Sequence, residues 1–135
     1  MGIIASTGGL IHKDLGANHH MWTSADLYDN NMIAACTRTA SFTWFGGYIG
    51  TAVIIAVGPE DEYIAATEQH SCGVNGTAFG DSDRTVNWHH YFDPSLQLAG
   101  RVTRLVPLQG WRFEARVAAK VAENAGTILA IASLF

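Results

Sequence analysis

The sequence predicts an all-β fold, an antiparallel β-sandwich with an extended N-terminal arm. Three observations carry that expectation. Turn signals recur at short intervals along the 135 residues: STGG, YDNN, GPED, CGVNG, FGDSD, FDPS, LQG and ENAG. The segments between them are rich in Val, Ile, Thr, Phe, Tyr and Trp, the rhythm of strands spaced about 8–12 residues apart. From Trp111 to Val121 the side chains alternate in character: Trp111, Phe113, Ala115, Val117, Ala119 and Val121 share one face of a strand, and Arg112, Glu114, Arg116, Ala118 and Lys120 the other.

In chain order, residues 1–30 read as an N-terminal arm and first strand region, with STGG its flexible part, and residues 31–135 as the sandwich domain. Strands are expected over Asn31–Thr37 and Ala40–Phe45, after the YDNN turn, and over Thr51–Val57, inside the longest apolar run, TAVIIAVG. Tyr63–Thr67 follows GPED, Thr85–Phe92 follows FGDSD, and Arg101–Leu108 follows FDPS. Gly110–Val121 satisfies two patterns. Its alternation is that of a strand, yet Phe113, Val117 and Val121 also stand at i, i+4 and i+8 among good helix formers, with Asn124 or Gly126 able to end a helix. Gln109 and Gly110 precede it where an N-cap Ser, Thr, Asp or Asn would stand. The next segment, TILAIASLF, has nearly the same length, and ENAG suits a hairpin connection. The expectation is therefore a hairpin pairing Gly110–Val121 with Thr127–Leu134.

That final run is apolar on both faces, Ile128, Ala130, Ala132 and Leu134 on one and Leu129, Ile131 and Phe135 on the other. At a sheet edge it would aggregate, so it is expected at the centre of a sheet with both faces covered. In a one-domain sandwich the second cover would come from another chain. Leu129, Ile131 and Phe135 are the expected interface of a closed homo-oligomer, a trimer as the first guess.

Composition points the same way. Charged residues are 15 % of the chain against roughly 25 % in an average soluble domain, and a surface poor in Lys and Glu resembles a subunit interface. The net charge of −4 is unevenly spread. Residues 101–135 hold five basic residues (Arg101, Arg104, Arg112, Arg116, Lys120) and two acidic ones, a balance of +3; the remainder holds three basic and ten acidic, a balance of −7. The basic patch is too small to neutralise many phosphates, so no nucleic-acid partner is expected, and contact between the oppositely charged surfaces of neighbouring subunits fits it better. No apolar run approaches the ~18–20 residues of a membrane-spanning helix and no secretion signal is visible, so no membrane partner is expected. MGIIAS matches the short N-myristoylation pattern through Gly2 and Ser6, a match that arises readily by chance. Cys36 and Cys72 read as reduced core residues.

The histidine doublet in TVNWHHYFDP raises the question of a metal. In an extended segment Val86, Trp88, His90 and Phe92 point one way and Asn87, His89, Tyr91 and Asp93 the other, so the two imidazoles cannot chelate one ion; His19 and His20 obey the same geometry. His70 and Cys72, in HSC, share a face, and with Cys36 or His89 are the candidate zinc ligands, but paired C-x-x-C or H-x-x-x-H spacing is absent. Glu60, Asp61, Glu62, Asp81 and Asp83 are oxygen donors without EF-hand spacing. No G-x-S-x-G, H-E-x-x-H or P-loop motif occurs, so no catalytic residue and no cofactor are expected. Asn75–Thr77 is a glycosylation sequon with no secretion signal beside it. Trp88 and Tyr91, with Tyr48, are the candidate ligand-binding platform if exposed and core packing if not.

With GWRFEARVAAKV and GTILAIASLF as its carriers, the chain resembles the small jelly-roll modules of virion proteins, such as capsid decoration or head-fibre proteins of tailed phages, and the trimeric tumour-necrosis-factor/C1q sandwiches. The resemblance implies a jelly-roll-like sandwich that works as a non-enzymatic structural assembly protein in a virion, with other assembly proteins as partners. It carries over no functional residue. The runner-up is a carbohydrate- or ligand-binding sandwich module, and third a small metal-dependent enzyme; a cytoplasmic location is the alternative to the virion.

Overall fold

In the computed structural model, which describes residues 2–131, the chain forms strands β1 (Ile3–Ser6), β2 (Ile11–Gly16), β3 (His19–Tyr28), β4 (Met32–Ser41), β5 (Tyr48–Val57), β6 (Tyr63–Ala66), β7 (His70–Val74), β8 (Asp83–Tyr91) and β9 (Arg104–Trp111), then helix α1 (Glu114–Ala125). All pairings of these strands are antiparallel. The first sheet is centred on β3 and β4: β1 and β2 both pair with β3, and β8 flanks β4. In the second, β5 is central, with β6 and β7 on one side and β9 on the other. The two sheets pack face to face as an all-β sandwich, and α1 covers the second sheet's outer face.

The pattern of burial follows from the pleat. Along β3, His19, Met21, Thr23, Ala25 and Leu27 are buried and the residues between them half-buried, as expected of a sheet with one face on the core. Ala25, Leu27, Ile33 and Ala35 of the first sheet meet Ile54, Ala56, Ala65 and Leu105 of the second, closed off by Phe92, Leu98 and Val102. From Gly50 to Val57 every residue of β5 is buried. Ala52, Ile54 and Ala56 face the first sheet, while Val53, Ile55 and Val57 meet Ala115, Ala118, Ala119 and Ala122 of α1. The doubly apolar strand is thus β5, and both its covers come from its own chain.

A buried polar line crosses this core. Trp88 Nε1 donates to Thr37 Oγ1 (3.0 Å), Thr37 and Thr23 share a hydroxyl bond (3.1 Å), Thr23 Oγ1 donates to Gln109 Oε1 (2.8 Å), and Gln109 Nε2 donates to the carbonyl of Ile11 (2.9 Å). Thr23 spends its one hydroxyl proton on Gln109 Oε1, which can only accept, so Thr37 donates to Thr23, and every bond in the line runs the same way.

Several expectations are corrected. The segment from Glu114 is a helix, so the hairpin of Gly110–Val121 with Thr127–Leu134 does not form. Ala115, Ala118, Ala119 and Ala122 recur at helical spacing and let α1 sit close on the sheet. The missing N-cap side chain, worth ~1 kcal/mol, is outweighed by the propensity of twelve residues, five of them Ala. Glu114 Oε2 also accepts the backbone N–H of Trp111 (3.3 Å), and Gly126, at φ 75°, closes the helix by donating to Ala122 and Glu123. Ile128–Ile131 is a single 3-10 turn; Ile131 is 3 % exposed, buried against the α1 cluster, and so has no surface to offer a second chain. Leu129 is exposed, and Phe135 lies outside the described residues. Asn31–Thr37 and Ala40–Phe45 are not two strands: β4 runs unbroken through Arg38 and Thr39. The region 1–30 supplies three strands of the first sheet, and β7 was not anticipated.

Candidate functional site

The β4–β5 connection, residues 42–47, reads FTWFGG, and residues 77–79, in the β7–β8 connection, read TAF. Together they place four aromatic side chains at one end of the sandwich. Phe42, Trp44, Phe45 and Phe79 are 52 %, 64 %, 70 % and 65 % exposed. Trp44 and Phe45 meet edge to face at 5.9 Å between ring centroids, and Phe45 lies 5.9 Å from Phe79. The β4–β5 connection contains no Asp, Glu, Lys or Arg, and the β7–β8 connection, residues 75–82, contains one, Asp81.

This aromatic tip is built from the backbone outward. The Gly46 carbonyl accepts from Ser41 Oγ, from Thr43 Oγ1 (2.8 Å) and from Nε2 of the buried His19 (3.1 Å). The two loops are joined by Thr77 N–H to the Thr43 carbonyl (2.8 Å) and Ala78 N–H to that of Trp44 (2.9 Å). Gly76 permits this approach: a Cβ there would stand 2.6–2.7 Å from backbone atoms of Trp44, Phe45 and Gly46. Below, His19, Tyr48 and Trp111 pack against one another, the His19 ring 4.5 Å from Tyr48 and 4.7 Å from Trp111, and those two 4.7 Å apart. The loops that carry the rings are therefore held in place while most of the rings' surface meets water, apolar area that the chain itself leaves uncovered.

The outer face of the first sheet is the second surface of interest. Trp22 stands between His12 (centroids 5.0 Å apart) and the Arg38 guanidinium (4.2 Å from the ring centroid), its cross-strand neighbours on β2 and β4. Arg38 in turn grips Asp83 with two hydrogen bonds, 2.9 and 2.6 Å, which hold the Asp83 carboxyl below its ordinary pKa. Both faces of the indole are occupied, so Trp22 is no free stacking platform. Beside it lies a shallow trough of about 470 Å3, walled by Asp26, His89 and Tyr91 over Ala34 and Cys36.

Trp88 and Tyr91 point to opposite faces. Trp88 is half-buried, bonded to Thr37 and stacked on His70 at 5.0 Å and 4°, while Tyr91 is 62 % exposed on the outer face. Tyr48 is buried, which raises its pKa, and its hydroxyl donates to the His20 carbonyl (2.8 Å). Burial pushes the His70 pKa down, and its Nε2 is buried without a hydrogen-bond partner. Cys72 is buried, Cys36 half-buried on the outer face of the first sheet, and both are free thiols. Among the described residues no three His, Cys, Asp or Glu side chains come together as a metal site. Asp61 pairs with Arg104 and Asp83 with Arg38, at opposite ends of the sandwich, so the two acidic turns form no common site. Among the described residues no helix is long and apolar enough to cross a membrane.

Sequence reasoning missed the aromatic tip because it assigned Ala40–Phe45 to a strand. The signal was present: three aromatics in four residues beside a Gly pair, which a buried strand end does not need. No protein-family model, curated protein or solved structure matches the chain.

Proposed function

We propose that this chain is a structural assembly protein, a homo-oligomeric sandwich subunit of the jelly-roll-like type found in virions, with a trimer as the expected order. The observation that carries the reading is the tip: four aromatic side chains, more than half exposed, on two loops that together hold one charged residue, Asp81. Exposed aromatic clusters of this kind mark contact surfaces, where Phe and Trp are enriched and Trp is among the residues on which interface energy concentrates. The low charge of the whole chain supports the same reading. The test is the mass of the purified protein by light scattering at micromolar concentration, together with antibody labelling of particle fractions from the source culture. A discrete multimer that bands with particles supports assembly; a monomer absent from every particle fraction contradicts it.

One observation favours a second reading, a glycan- or ligand-binding module. The trough on the first sheet offers Tyr91 as an exposed ring beside the polar groups of Asp26, Asn87 and His89. A glycan array separates the two: binding lost on Tyr91→Ala would favour the module.

A further inference from the structure

We propose that His12 and His20 form a binding site for a divalent transition-metal ion that takes its ligands at right angles, copper(II) or nickel(II). The pleat that parts His20 from its sequence neighbour His19 turns it onto the outer face of the first sheet, where β2 presents His12. In the β2–β3 register His12 is opposite Trp22 and Asp14 is opposite His20, so all four side chains share that face. His12 Nε2 stands 2.9 Å from His20 Nδ1, with the ring planes 18° apart. Neighbouring rings hold the pair in place: Trp22 lies 5.0 Å from His12 and 5.8 Å from His20, and Phe42 lies 5.5 Å from His20. Both ligands come from one chain, so the site does not require assembly.

The gap between the two nitrogens has the size of one edge of a square coordination plane. Imidazole nitrogens bind such ions at about 2.0–2.1 Å, so two of them at right angles stand about 2.9 Å apart, and two at a tetrahedral angle about 3.3 Å. The observed 2.9 Å fits the tetragonal preference of copper(II) and nickel(II) better than the tetrahedral one of zinc. A neutral imidazole has one N–H and one lone pair, so across the gap one ring donates and the other accepts. A metal ion takes the place of that proton. The donating ring carries its proton on the outer nitrogen instead, Nδ1 of His12 or Nε2 of His20, and both inner lone pairs bond the ion with no proton lost. His12 is exposed, so the ion reaches the gap from solvent. Asp14, also exposed, adds a carboxylate on the same face, with its Oδ1 accepting the Gly16 N–H at 2.8 Å. Arg38, on the other side of Trp22, is paired with Asp83, which offsets its charge. No three possible ligands come together among the described residues, so water fills the ion's remaining positions.

The experiment is calorimetric titration of the full chain with copper(II), nickel(II) and zinc(II) chlorides in turn, in a buffer that does not bind them. One equivalent of copper is expected to bind, and nickel to bind more tightly than zinc. His12→Gln and His20→Gln are each expected to weaken copper binding about tenfold or more, because one arm of the chelate is gone. His89→Gln removes an exposed histidine of β8 and is expected to change nothing. The electron paramagnetic resonance spectrum of the copper-loaded chain is expected to show two imidazole nitrogens, and that of each pair variant one. Circular dichroism with a thermal melt establishes that the variants fold. His12 is exposed, so His12→Gln decides the matter even if losing His20, which packs on Phe42, disturbs the fold. A native chain that takes up no copper overturns the proposal, and so does unchanged binding in His12→Gln. An equal loss in His89→Gln and His12→Gln also overturns it, since that is the result for adventitious binding to surface histidines. Zinc bound more tightly than nickel overturns the right-angle geometry.

Discussion

Thr23 Oγ1 donates a 2.8 Å hydrogen bond to Gln109 Oε1, linking β3 of one sheet to β9 of the other with both residues buried. Most of the sandwich is held by non-directional apolar contact, which tolerates sliding of one sheet over the other. This bond does not. It belongs to a line in which every donor points the same way, from the Trp88 indole to the Ile11 carbonyl, so it fixes the register of the two sheets.

Gln109→Leu keeps the volume and removes both ends of that link. Thr23, which is buried, loses its acceptor and the Ile11 carbonyl its side-chain donor, and the expected cost is about 1–3 kcal/mol. A fall in the urea midpoint at unchanged slope is the expected result. An unchanged midpoint would mean that water satisfies the line.

Ala118→Leu tests the helix. Ala118 and Ala119 are both buried, which a helix permits at neighbouring positions and a one-sided strand does not. Overpacking at Ala118 should destabilise by about 1–3 kcal/mol, read in the same titration. If the segment were a strand, Ala118 would share the face of Arg116 and Lys120, and the substitution would be silent.

Acid should weaken the fold before any carboxylate is protonated. Burial lowers the pKa of His70, and of His90 despite the nearby Glu68. The unfolded chain therefore binds protons that the folded one refuses, so stability is complete above the ordinary histidine value of 6.5 and falls as pH drops through the lowered folded values. Urea midpoints at pH 7.5 and 5.5 should differ, and His70→Phe, which keeps a ring against Trp88, should reduce the difference. Asp83 is lowered as well, so its bond to Arg38 is lost only at still lower pH, below the ordinary carboxylate value of 3.8. Equal midpoints for the native chain at the two pH values would contradict the account.

What the sequence made legible follows from how strongly each element's signal exceeds its neighbours'. β5 and β8 were readable because an apolar run and an alternating aromatic run are strand patterns by themselves. β3 alternates just as regularly, but its inward positions include His19 and Thr23, polar residues that the core accepts only because Gly46 and Gln109 bond them, and such long-range partners are invisible in sequence. β1 and β2 are short edge strands divided by STGG, and their hold on β3 is tertiary. Residues 111–121, which run into α1, fit both periods because Ala suits either face, so the choice rested on a capping rule and on the hairpin-like length of the next segment, both weaker than the helix propensity they opposed. Of the expected site, the pair Trp88 and Tyr91 was separated by the pleat, the expected hairpin gave way to the helix Glu114–Ala125 and, among the described residues, the turn Ile128–Ile131, and the tip emerged only when two loops distant in sequence came together.

The central claim is that the tip is a contact surface in a self-assembling subunit, and native mass spectrometry of the unmodified chain from about 1 to 100 µM tests it most directly. The account predicts one discrete multimer, three copies as the first expectation, that persists on dilution and is lost in Trp44→Ser with Phe45→Ser while the fold survives. A single monomer mass across the whole range, with the four aromatic side chains exposed to no purpose, would contradict it.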